Sequence, residues 1–474
     1  MNKAALAYHN LKVSPFELVN LQELTISKKL NEHAYLHFKG IVSEELKDSY
    51  VLMCDAGTTV EISQLDEDGK STPLFCGIVR NIAVQAIRGI YYLEVDCVSH
   101  TYELDVKKKS RSFQNKNMTY PELLNMIASD YSGIDIMDEA TNGATIGRFT
   151  MQYMETDWQF LKRMASRLRT ILMSASVFER PKFYFGLHDA NPKGKLDDFH
   201  YRVVKRLEPF RDTTENTGAS VEENDYIYYE VESGLVLDLG NAITFKGRLL
   251  YVCEASTEMK GSQLKHQYTL CTRKGLRANP LYNDPIIGAS IQGEVIEIQR
   301  DTVKVHLNID PSQNKAEAHC FPYSSVYTAE GNSGWYCMPE VGDHVRVYFP
   351  GNKEEEGVAS SSVRKNSDEG ASNKLSNPDH KYFRTAAGKE LKMTPEEIVI
   401  TGKDGEIFIR LSEGGGIEIS STQMIRLVAK QDIMMNAEEN IVISAKDKIS
   451  LTCKESTIVL DGNTDISGLE LKTN

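Results

Sequence analysis

His319 beside Cys320, and His188 beside Asp189, are the pairs in this 474-residue sequence whose side-chain types suit nucleophilic or acid–base work. A thiol becomes a nucleophile when a base lies within hydrogen-bond reach, and the base needs a group that orients it. Neighbours in a strand point to opposite faces, so neither pair converges on one reacting atom. Both are read as surface or barrel side chains. The sequence has no GxSxG, HExxH or Walker-type loop. The run EGGG at 413–416 opens no helix, so it makes a poor phosphate cradle. The expectation is therefore no catalytic residue, no cofactor, no metal ligand and no enzyme.

The eight cysteines (Cys54, Cys76, Cys97, Cys253, Cys271, Cys320, Cys337 and Cys453) form no CxxC pair. The pattern fits neither a disulfide scaffold nor a zinc ribbon, and Cys453 reads as a small apolar side chain. Reduced thiols point to assembly in a cytoplasm. A net charge of −13 argues against a nucleic-acid binder or a binder of anionic membranes. The basic run VKKKSR at 106–111 reads as a solvated loop or strand end. The first residues show no signal-peptide core, and no stretch approaches the roughly 18 apolar residues of a spanning helix. The chain is expected to be made as a soluble cytoplasmic protein, exported by another machine if it leaves the cell.

The strongest pattern lies near the end. Ile409, Ile417, Ile425, Ile433, Ile441 and Ile449 recur every eight residues, and so do Leu411, Ile419, Leu427, Met435, Ile443, Leu451 and Val459. Thr457 interrupts the first series. Spacing of i and i+2 puts both members of a pair on one face of a strand. Each octad thus reads as a short strand followed by a polar corner, and a fixed period of this kind marks a β-solenoid, with an ordinary meander of short strands as the alternative. Eight extended residues span about 26 Å, too little to circle a packed core. Either one chain uses three octads per turn, or three chains each supply one side of a shared prism.

Ahead of the octads, residues 1–280 read as mixed β with a few helices. YLHFKGIV (35–42) and IYYLEVDCVS (90–99) run as strands do. Two helix starts carry capping-box spacing, Thr119 with Glu122 and Thr156 with Gln159, and Trp158 reads as a core anchor. Residues 281–365 read as a compact barrel, with GDHVRVYFPG as a strongly alternating strand. Residues 366–381 belong to a polar linker stretch that begins near 354, and 382–474 form the octad region, with EGGG as a loose corner.

MQYMETDWQFLKRMASRL (151–168) resembles the helix region of the VgrG proteins, spikes of type VI secretion systems; Gln152, Tyr153, Glu155, Trp158, Phe160, Leu161 and Arg163 carry the match. GWYCMPEVGDHVRVYFPG (334–351) resembles the OB-type barrel of that family through Gly334, Trp335, Pro339, Gly342, Asp343 and Val345, with His344 where the family usually has an acid. LFCGIVRNI and RSFQNKNMTYPELL resemble its N-terminal barrels, and the octads its needle. The order matches along nearly the whole chain, and phage tails carry related parts as a baseplate hub and a central spike.

The resemblance implies a mainly β protein with minor α: hub-like β-barrels with a few helices at 1–280, an OB-fold barrel at 281–365, and a C-terminal trimeric β-helix needle. It also settles the octads in favour of three chains, with Ile409 through Val459 in the shared core. It implies a homotrimer that adapts a sixfold tail tube to a threefold needle. The implied partners are a hexameric tail-tube protein, baseplate proteins, and a PAAR-type tip protein with an effector. Ile466, Leu469 and Leu471 would contact that tip protein. Nucleic acid is not a partner, and a target membrane is met only transiently. The machine implied is a type VI system, phage tail, tailocin or extracellular particle. About twenty-five linker residues leave no room for an inserted enzyme, and a needle ending at Asn474 leaves none for a C-terminal toxin. A tail fibre or adhesin is the alternative, and an envelope-degrading enzyme a more distant one.

Overall fold

The computed structural model describes residues 10–46, 48–65, 69–188, 191–196, 200–217, 221–260, 263–329, 333–362, 377–403, 405–460, 462–463 and 470. The chain divides into two compact units, Met1–Asn366 and Ser367–Asn474.

The first unit is built on an eleven-stranded sheet. From edge to edge it runs through Leu11–Ser14, Thr59–Leu65, Ser71–Ile87, Ile90–Ser99, Tyr35–Val42, Asn20–Lys29, Arg248–Lys260, Gln263–Cys271, Ile227–Ser233 and Tyr201–Lys205, with Ala242–Phe245 beside Arg248–Lys260. The strands alternate as their sequences demand: along Tyr35–Val42 the residues Leu36, Phe38 and Val42 are buried, while Tyr35 lies exposed. The path divides around two apolar cores. One gathers Leu24, Phe38, Val60, Phe75 and Val95 from the first half. The other gathers Leu237, Ile243, Phe245, Val252 and Leu270 from the second.

Among the described residues, four α-helices accompany the sheet: α1 (Ser49–Met53), α2 (Tyr120–Ala128), α3 (Asp157–Arg167) and α4 (Leu207–Thr217). Both expected capping boxes form. The Thr119 hydroxyl accepts from the Glu122 amide at α2, and the Thr156 hydroxyl from the Gln159 amide at α3. Trp158 is buried as expected, and its indole nitrogen donates to the Asn31 carbonyl at 3.3 Å. Around it Phe160, Leu161, Met164, Phe183 and Phe185 make a third core; burying side chains like Phe160 and Leu161 is worth about 1.5–3 kcal/mol each.

The barrel expected at 281–365 closes. Ser290–Gln299, Thr302–Leu307, Cys320–Ser324, Val358–Ser360 and His344–Tyr348 form a continuous ring. Val345 and Val347 point inward, as the alternation implied. Phe149 and Met151, from the strand Thr150–Thr156, enter this same core. The strand leading into α3 therefore packs into the barrel, and the hub-like segment and the barrel share one compact unit.

The second unit differs from a solenoid over its first part. Lys381–Arg384, Glu390–Met393, Glu397–Lys403, Ile407–Ser412 and Gly416–Ser421 form a five-stranded antiparallel meander. EGGG is a tight hairpin turn rather than a loose corner: Ser412 pairs with Gly416, whose φ of 73° is a conformation glycine adopts without steric cost. Among the described residues, 422–448 contain no strand. Ile449–Cys453 and Ser456–Leu460 make a last hairpin, turning at Lys454 with φ 52°. The physical reason is that a strand needs a neighbour for its amides and carbonyls. Tight hairpin turns bring that neighbour to the octads at 407–421 and 449–460, and among the described residues no segment of this chain brings one to 422–448.

Candidate assembly surface

In the meander, residues directly opposite one another share a face. Leu391 pairs with Ile400 and Met393 with Ile398; Ile398 pairs with Leu411 and Ile400 with Ile409; Ile409 pairs with Ile419 and Leu411 with Ile417. Eight apolar side chains therefore lie on one face of one sheet. Seven of them, all but Leu391, are exposed large hydrophobics in the single chain, Ile417 at 74 %. Apolar patches on this scale mark interaction surfaces. The octad residues Ile409, Leu411, Ile417 and Ile419 are brought together here. Met393, two octads before Ile409, joins them in phase, and Ile398 and Ile400 join them out of octad phase. The signal for Ile398 and Ile400 was simple i, i+2 alternation in EIVIT, outside the eight-residue period.

The stripe continues. Ile425, Leu427, Ile433, Met435, Ile441, Ile443 and Leu451 are all more than half exposed, and Ile449 is half-buried. Val459 pairs with Ser450, which places it on the face opposite Ile449 and Leu451. The hairpin's two-residue turn shifts the phase by one relative to the octad count, and a one-residue shift moves a side chain to the other face. Ile466, Leu469 and Leu471 lie outside the described residues.

Within the first unit, a buried ionic junction ties the barrel to α3. Glu354 is only 2 % exposed, although it belongs to the charged run 353–356 that reads as the start of the linker. Its carboxylate accepts from Arg163 Nη1 at 2.9 Å, from the Met151 amide at 3.2 Å, and from Arg167. Arg163 also donates through Nε to Glu155 at 2.9 Å and through Nη2 to the Met151 carbonyl at 2.6 Å. Burial alone would lower the Arg163 pKa, but Glu354 and Glu155 hold it above its ordinary value. Burial pushes the Glu155 carboxyl up, against the pull of Arg163. Asp310 makes a second tie, accepting from the Ser112 amide at 2.6 Å, and Gln114 bridges to the Val305 carbonyl at 3.1 Å. Sequence reasoning missed Glu354; the clue was Arg163 and Arg167 one turn apart on a helix otherwise turned inward.

The chemical candidates resolve into packing. The His319 ring packs tilted against Phe149 and edge-on to Phe321, while the Cys320 thiol approaches Gln299. His188 Nδ1 lies 2.7 Å from Glu139, and Asp189 is outside the described residues. In the basic run, Lys109 pairs with Asp130 at 2.7 Å and Arg111 with the fully buried Asp157 at 2.7 Å, leaving Lys107 and Lys108 to solvent. One constellation went unread: Asp105, His33 and Thr101 form a carboxylate–imidazole–hydroxyl row, at 3.3 Å and 2.9 Å. Thr101 is 1 % exposed and shares its hydroxyl with Ser99 and Ser174. Ser174 borders a cavity of about 290 Å³, but His33 reaches Thr101 rather than Ser174. The row therefore stitches strand ends together without arming a nucleophile. All eight cysteines are unpaired. Among the described residues, no group of three His, Cys, Asp or Glu side chains is placed to hold a metal, and no helix is long and apolar enough to cross a membrane.

No family model and no curated protein matches the sequence. Solved structures do match the fold. The E. coli c3393 protein, a component of the type VI secretion system with structural similarity to the T4 bacteriophage tail proteins gp27 and gp5, superposes with a TM-score of 0.52 at 12 % identity, over 75 % of this chain and 100 % of that one. A chain of the lidless PdpA–VgrG complex gives 0.54 at 10 % identity, over 84 % and 93 %. The half-lidded Francisella PdpA–VgrG complex gives 0.54 at 9 % identity, over 86 % and 87 %. At such identities the likeness is one of fold. The chain has the mainly β architecture of VgrG-like type VI spike proteins and phage tail hubs, as its motifs implied.

Proposed function

We propose that this chain is the subunit of a homotrimeric spike, hub plus needle, of a contractile injection machine. The observation that carries the reading is the apolar stripe from Ile409 to Leu451, left wet in the single chain. Two further copies are the occupants that suit it. Each would present the same stripe toward a common axis, and each would lend the strand partners that 422–448 lack within one chain. Closure around a prism would also remove the open strand edges that invite aggregation. The VgrG-like fold supports a hub that docks on a tail tube and baseplate. A partner protein is in keeping with the PdpA–VgrG complexes.

On this reading the protein is not an enzyme. It assembles in the cytoplasm and leaves with the apparatus. Its hub adapts a sixfold tube to a threefold needle, and its tip carries a PAAR-type protein with an effector through the target envelope. The test is Ile433→Asp or Ile441→Asp, which puts three carboxylates into one layer of the shared core. The expected result is loss of needles in electron micrographs with the first unit still folded. Full-length needles from either variant would contradict the shared core.

A further inference from the structure

In a chain of net charge −13, one cleft gathers cations. Arg169, directly after α3, and Arg273, Lys274 and Arg277, around the short helix Lys274–Leu276, all border an open cleft of about 320 Å³. Leu168, Ile171, Leu187 and Leu276 also line it. Glu139 is the one acid on the lining, and its carboxylate is engaged by His188 Nδ1 at 2.7 Å. Asp225 stands 3.8 Å from Lys274 Nζ, and its carboxylate also accepts from the Glu222 amide. A basic side chain after a helix C-terminus is favourable to the helix dipole, which accounts for Arg169. It does not account for three more cations brought to the same cleft from a separate segment.

We propose that this cleft binds an acidic segment of a protein partner, with an aliphatic side chain seated between the cations. The charge is complementary to such a segment, which the rest of a chain of net charge −13 would repel. The mixture of aliphatic walls and basic side chains suits a peptide better than a point anion. Nucleic acid fits less well, because the lining includes no aromatic side chain on which a base would stack. The proposal is independent of how many copies share the needle.

The experiment is fluorescence anisotropy of the full chain with a labelled peptide of alternating glutamate and leucine. The expected result is saturable binding that weakens with salt and falls by about tenfold or more in K274E/R277E. K107E/K108E, which removes exposed charge elsewhere, should bind as the parent does. R277Q serves as the milder variant should the double reversal lower the melting temperature. Absence of binding, equal binding by K274E/R277E or by R277Q, or equally tight binding of a single-stranded oligonucleotide of matched charge would each overturn the proposal.

Discussion

Glu354 is a carboxylate that two arginines and a backbone amide surround, and it is almost wholly buried. Removing one partner of a buried pair leaves the others uncompensated, at a cost of about 3–5 kcal/mol. Glu354→Ala should lower the stability of the first unit by that amount in denaturant titration; a loss below 1 kcal/mol, roughly a surface pair's worth, would show the junction to be unimportant. Acid sensitivity should come in part from a different residue. Burial would raise the Asp105 pKa, but hydrogen bonds from His33 and Thr156 hold it below its ordinary 3.8. A depressed carboxylate contributes stability above its unfolded value and loses it as pH falls through the folded one. Stability should thus decline as pH drops below about 4, and Asp105→Asn should flatten that limb while lowering stability at neutral pH. An unchanged acid limb in Asp105→Asn would sink the assignment. Asp310 works in the opposite sense: burial raises its pKa, so its protonation favours the folded state as pH falls. None of these partnerships was legible in sequence. Glu354 sits inside a run that composition marks as solvated, and its arginines lie 187 and 191 residues away.

At the scale of elements, local signals served well where the stabilising contacts are themselves local. The capping boxes at Thr119 and Thr156 put α2 and α3 where the structure has them, because hydroxyl, amide and carboxyl or carboxamide partners lie within one turn. Thr156→Ala should cost about 1 kcal/mol from the cap, and more from the hydroxyl's bond to Asp105; thermal unfolding unchanged by the substitution would contradict the cap's role. The basic run at 106–111 was half legible. Its exposed lysines matched the expectation, but Lys109 and Arg111 are claimed by Asp130 and Asp157. The octad pairs at 409–411 and 417–419 share one sheet face. Their pairing was not legible: the antiparallel pairs Ile409–Ile419 and Leu411–Ile417 follow from the glycine turn at 413–416, which the period alone does not reveal.

For the whole molecule, a closed barrel follows a large sheet and the octads come last, in a chain whose fold is similar to that of the c3393 protein. A tail fibre or adhesin would carry a solenoid without the hub-like sheet. What one chain leaves exposed is apolar, periodic and long, and the proposed trimer would cover it with two further copies. The most direct test is the mass of the purified chain in neutral solution by light scattering. A stable species at three times 53.3 kDa is the expected result. A well-folded monomer at 53.3 kDa, with the stripe uncovered, would contradict the spike.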